Sequence, residues 1–110
     1  MAPDDELTLD EYQRLAARTG DVWDEKPYDE HRMLLAMGLG GEAGEVLELI
    51  KKEVGHGRRR DAWIMSEELG DCLWYLSELA RLNGTTLGRV ARLNVEKLQA
   101  RYPDGFKELG

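Results

Sequence analysis

Four carboxylates stand in two short pairs, Glu42 with Glu45 and Glu68 with Asp71, and the members of each pair are three residues apart. On a helix that spacing puts both members on one side, one turn from each other. Oxygen-only ligands of this kind suit hard divalent cations, Mg²⁺ with Mn²⁺ as a substitute, which keep several waters and complete their shells with phosphate oxygens. The chemistry such a group serves is phosphate chemistry.

The neighbours of these acids make them unusual. With 100° of turn per residue, Glu68 falls at the centre of a face made by Ile64, Cys72, Tyr75 and Leu79, while Ser66, Glu67, Gly70, Ser77 and Arg81 take the solvent side. Glu42 falls among Leu35, Leu39, Val46 and Leu49, and Glu48 and Lys51 point the other way. Two antiparallel helices facing each other bring all four acids together inside a bundle. Two unit charges about 5 Å apart repel by roughly 3 kcal/mol at an effective dielectric of 20, so something positive belongs among them. The alternative is that these acids are solvated, or paired with Lys51, Lys52 or arginines, as most helical glutamates are. Two such pairs on the apolar faces of neighbouring helices favour the metal reading. A rival metal site, the di-iron carboxylate bundle, needs Glu-x-x-His from two helices. Glu53 and His56 have that spacing, but His56 sits between glycines at a helix end, no second copy exists, and His31 has no Glu three residues before it.

The elements that must position these groups read as all-α, an antiparallel four-helix bundle. Thr8 and Glu11 form a capping box for a first helix carrying Leu9, Tyr12, Leu15 and Ala16 and stopping near Gly20. Residues 21–28, with Trp23 and Pro27, read as a loop. Asp29 is the expected cap of a long second helix patterned by Met33, Leu35, Leu39, Val46, Leu49 and Ile50 and ending at Gly55. Gly38, Gly40, Gly41 and Gly44 inside it point to a close helix-helix approach or a bend. A basic connector, Gly55-His56-Gly57-Arg58-Arg59-Arg60, leads to a third helix from about Asp61 to Asn83, and Thr86 caps a fourth that ends before Pro103.

Composition bounds the rest. A chain of 110 residues with 42% hydrophobic content supports one modest core, hence a single domain over 1–110 whose stability oligomerisation would raise. The net charge of −7 argues against an electrostatic track for DNA or RNA. Cys72 is the one cysteine, so no internal disulfide forms and the cytoplasm fits best. The acidic opening Met1-Ala2-Pro3-Asp4-Asp5-Glu6 is not a signal peptide, and no apolar run has membrane length.

The order Gly41-Glu42-Ala43-Gly44-Glu45, then Glu67-Glu68-Leu69-Gly70-Asp71-Cys72-Leu73-Trp74-Tyr75, then Asn94-Val95-Glu96-Lys97-Leu98 and Arg101-Tyr102-Pro103-Asp104-Gly105-Phe106 resembles the MazG-like all-α nucleotide pyrophosphohydrolases. The likeness runs from about Leu35 to Phe106. It implies that Glu42, Glu45, Glu68 and Asp71 are metal ligands and catalytic residues binding two or three Mg²⁺ ions, and that a nucleoside triphosphate is cut at the α-phosphorus to release pyrophosphate. One of the four accepts the attacking water's proton, with Glu45 the candidate. Asn94 and Lys97 are assigned by the resemblance to the substrate; Arg101, which shares a helical face with Asn94, is the third candidate. An intersubunit hydrogen bond or ion pair is the alternative for Lys97 and Arg101. The resemblance also implies a homodimer or homotetramer in which helices of two chains complete each site. A role in cleaning the nucleotide pool is compatible with it.

Three further expectations concern single residues. Arg58, Arg59 and Arg60 are solvated, or reach phosphates from the connector. Trp23 stacks on a base or merely packs, and Trp63 and Trp74 belong to the core. Cys72 is a small buried residue with no basic partner near it in sequence. A helical module that binds nucleotide or protein without turnover stays open as the second class of function.

Overall fold

The computed structural model describes residues 6–59 and 61–109, with side chains described as far as Phe106, so Met1–Asp5 and Arg60 of the sequence reading lie outside the described residues. Four helices carry the chain: α1 (Leu9–Gly20), α2 (Tyr28–His56), α3 (Ala62–Leu82) and α4 (Leu87–Arg101). Short 3-10 segments follow α1 at Asp21–Trp23 and α4 at Pro103–Leu109, and no strand occurs among the described residues. The all-α reading holds.

Three helices start where local chemistry dictates. The Thr8 hydroxyl accepts from the Glu11 amide at 3.0 Å, and the Glu11 carboxylate accepts from the Thr8 amide at 2.8 Å. Asp61 accepts from the Trp63 amide at 3.0 Å, and Thr86 from the Arg89 amide at 3.1 Å. The second helix departs from expectation, because its N-cap is Pro27 and Asp29 lies inside the first turn, bonded to Arg32 at 3.0 Å. Proline presets the entry dihedral, with φ of −55°, so the helix begins before Asp29, which instead complements the helix dipole.

α2 and α3 form an antiparallel hairpin: Gly38 meets Tyr75, and Glu42 meets Glu68 and Asp71. α1 lies against α3 from another side and α4 packs on α1 and α3. α3 therefore has packed neighbours on two sides, and this overturns part of its helical wheel. Ser77, placed on the solvent side by the wheel, is 0% exposed, and Arg81 is half-buried. The guanidinium of Arg81 donates to both oxygens of the buried Glu78, at 2.8 and 3.0 Å, and to Asp24 at 2.9 Å, tying the first connector to α3. Hydrogen bonding to these two carboxylates pushes the Arg81 pKa up, and the Arg81 bond holds Asp24 below the usual carboxylate range.

α1 also fixes the start of α4. The Gln13 side chain donates to the Thr85 carbonyl at 3.0 Å and accepts from the Leu87 amide at 2.8 Å, and Asp10 accepts from the Gly88 amide at 2.8 Å. The last two bonds satisfy the Leu87 and Gly88 amides, which have no partner inside their own helix.

The glycine-rich stretch leaves α2 unbroken over 29 residues. The expected close approach occurs at Gly38 alone, where the Tyr75 ring occupies the place of a β-carbon; Gly40, Gly41 and Gly44 face open space. Trp63, expected in the core, is 68% exposed, because it lies in the first turn of α3, beyond the stretch that α1 covers. No described helix is long and apolar enough to cross a membrane.

Candidate active site

The antiparallel hairpin places the two acidic pairs opposite each other. Oxygen atoms of Glu42, Glu68 and Asp71 lie within 4.8 Å of one another, with Glu42 and Glu68 half-buried and Asp71 exposed. Glu45, exposed one turn beyond Glu42, is not one of these three, yet its charge acts on Glu68. Partial burial, followed by the charges of Glu42, Asp71, Glu45 and Glu67, pushes the Glu68 carboxyl above its ordinary range. Every charge in that set is negative.

A concave space opens beside the acids, about 360 Å³ in volume and lined by Thr19, Glu42, Asp71, Trp74 and Tyr75. Its wall is fixed by specific contacts. The Trp74 indole donates to the Thr19 hydroxyl at 2.8 Å, and that hydroxyl donates to the Ala16 carbonyl at 2.9 Å. Trp74 and Tyr75 meet edge to face with ring centroids 4.9 Å apart. Trp74 was expected in the core and instead borders the acids, since residues three and four beyond Asp71 share its side of the helix. Thr19 was not anticipated, because its role depends on α1 crossing α3. Tyr12, also on α1, is half-buried and feels Asp71 and Glu78; burial first, then these two charges, pushes its phenol pKa up.

The other predicted site residues lie elsewhere. Asn94, Lys97 and Arg101 are exposed on the distal half of α4, and none of them lines the space beside the acids. Trp23 is half-buried and meets the buried His31 edge-on at 6.1 Å.

All the ligand atoms offered by the converging acids are carboxylate oxygens held against mutual repulsion, a donor set that fits a hard divalent cation. Comparison with known proteins agrees with this chemistry. The model of the MazG nucleotide pyrophosphohydrolase domain matches residues 30–106. The Gene 37 protein of Mycobacterium phage L5 is 38% identical over 78 residues, 64% of this chain and 66% of the relative, so the match spans just under two thirds of that protein. No solved structure matches.

Proposed function

The chain belongs to the MazG nucleotide pyrophosphohydrolase family, and from that membership we propose that it hydrolyses a nucleoside triphosphate, ribo or deoxy, to the monophosphate and pyrophosphate. The observation that carries the reading is the convergence of Glu42, Glu68 and Asp71 within 4.8 Å with no compensating cation among the charges acting on Glu68. These three carboxylates and Glu45 hold Mg²⁺, for which Mn²⁺ substitutes. When bound, the metal neutralises phosphate charge and lowers the pKa of water.

The chain's own groups divide the remaining work. One of the four carboxylates accepts the proton of the attacking water, and Glu45, one turn from Glu42 and outside the group of three, is the one we assign to it. Water attacks the α-phosphorus, the bond to the bridging oxygen breaks, and pyrophosphate leaves with that oxygen. Trp74, held by Thr19, and Tyr75 wall the space next to the acids and orient the rest of the nucleotide.

Asn94, Lys97 and Arg101 bind substrate across a subunit boundary, in a homodimer or homotetramer. Two observations support this. The three are exposed away from the acids of their own chain. Met33, Met37, Leu47, Ile50 and Val54 along α2 are all at least 45% exposed, an apolar surface that a second copy of the chain would cover. Nucleotide-pool cleaning in the cytoplasm is a role compatible with this activity.

The test is incubation of purified protein with NTPs, dNTPs and damaged analogues plus Mg²⁺, scoring pyrophosphate against orthophosphate, with Glu68→Ala as control. Metal-dependent pyrophosphate that vanishes in the variant is expected. Absence of turnover with both Mg²⁺ and Mn²⁺ sinks the proposal in favour of a binding module.

A further inference from the structure

On a chain with 22 Asp and Glu against 15 Lys and Arg, three of those cations, Lys52, Arg58 and Arg59, converge with His56 at the connector end of the α2–α3 hairpin. Lys52 and His56 are four residues apart and share a face of the last turns of α2. Gly57 then adopts the left-handed conformation, φ 65°, and the Arg58 amide bonds back to the Glu53 carbonyl at 3.0 Å. That reversal folds Arg58 and Arg59 beside Lys52 and His56. Together with Asp61 and Ile64 they line a recess of about 380 Å³.

Among the described residues, the basic side chains of this recess outnumber its single acid. Neither Lys52, His56, Arg58 nor Arg59 forms an ion pair among the described residues. The one acid among the described lining residues, Asp61, caps α3 and offsets at most one of the basic charges. The favourable field of a helix C-terminus accounts for Lys52 and His56 on the last turns, but not for two arginines folded back over them. The arrangement mirrors the acidic site: there, anions crowd and need a cation; here, cations crowd and need an anion.

We propose that this recess is an oxyanion site that takes a polyphosphate, either free pyrophosphate or the terminal phosphates of a nucleotide. Arginine offers planar donor forks that grip phosphate oxygens in pairs, and lysine adds a point charge. Asp61 precedes Glu68 by seven residues, which sets the recess about 10 Å from the acids along the helix axis, close on the same hairpin yet separate from them. On the activity proposed above, the recess draws an incoming triphosphate toward an otherwise acidic surface and receives the departing pyrophosphate. The binding itself does not depend on turnover.

Titration calorimetry of the full chain with sodium pyrophosphate, in EDTA at low ionic strength, isolates this site, because metal-free carboxylates repel the ligand. Saturable binding is expected, weakened at least tenfold by Arg58→Ala with Arg59→Ala, weakened several-fold by Lys52→Ala, and kept in Glu68→Ala. No saturable binding without metal, or equal binding by the double variant with its helical spectrum intact, overturns the proposal. Displacement of pyrophosphate by dATP but not dAMP assigns the recess to the nucleotide tail; displacement by neither assigns it to free pyrophosphate. Persistent binding in a protein that turns over no nucleotide separates failure of the enzymatic reading from failure of this one.

Discussion

The carboxylate of Glu78 occupies the space that a β-carbon on Gly20 would need. The end of α1 thus rests directly on a buried acid of α3, and the acid is held there by Arg81. On an exposed helix, Gly→Ala stabilises by about 1 kcal/mol. At Gly20 the sign reverses, because overpacking costs roughly 1–3 kcal/mol. Gly20→Ala is predicted to lower the thermal midpoint by several degrees, and a rise would sink this account of the contact.

Arg81→Leu leaves Glu78, 1% exposed, without its partner. Stranding a buried charge costs about 3–5 kcal/mol, and partial exposure of Arg81 puts this case at the lower end. Urea melts of Arg81→Leu, Glu78→Gln and the double variant form a cycle. The double variant is predicted to be more stable than Arg81→Leu alone; if it is less stable, the penalty does not come from the stranded acid.

Glu68→Gln removes one charge from the acidic group. Without metal it is predicted to melt at a higher temperature than the unaltered chain, because a repulsion is relieved. Added Mg²⁺ at ten times its Kd stabilises the unaltered chain by about 1.4 kcal/mol and the variant by far less. Melts with and without MgCl₂ check both halves, and an equal metal response in the two proteins would falsify the ligand role of Glu68.

The raised pKa of Glu68 has a definite sign in pH. Its folded state holds the proton more tightly than its unfolded state, so its contribution to stability is full below the ordinary carboxylate pKa and is lost as pH rises through the folded one. Metal-free protein should therefore lose stability from this group as pH rises from the ordinary carboxylate range through its raised pKa. In Glu68→Gln that loss should be absent when urea midpoints are measured against pH. Mg²⁺ affinity runs the opposite way and rises over the same interval, since proton and metal compete for one carboxylate.

Lys97→Ala and Glu68→Ala should each be inactive or nearly so if Lys97 serves the acids of another chain. Refolding the two variants together then restores activity. In a dimer with shared sites about a quarter of the sites regain both groups. Activity that stays at the level of the separate variants, with mixed oligomers present, would show that Lys97 does not act across the boundary.

Short-range chemistry was legible in the sequence. The capping box at Thr8, the cap at Thr86 and the pairing of acids within each helix follow from residues within a turn of each other, and the short α2–α3 connector makes the two pairs face each other. Features that depend on α1 lying across α3 were not. A helical wheel assumes one buried face, so Ser77 and Arg81 read as surface residues, while Trp63 reads as core only because aromatic side chains usually are. Glu78 and Arg81 look like any exposed pair at i and i+3, and nothing local separates Glu78 from Glu67. Likewise Asp29 and Pro27 both suit a helix start, and the earlier of the two prevailed.

The bonds from Asp10 and Gln13 to the start of α4 join groups 72 to 78 residues apart in sequence. Closing so long a loop is entropically costly, while α2 and α3 are joined by a five-residue turn. The order of assembly follows from this: the α2–α3 hairpin zips early, and the bonds that fasten α1 to the start of α4 close last. The clamp of Asp10 and Gln13 on the start of α4 is then the last junction to close and, under stress, the first to part.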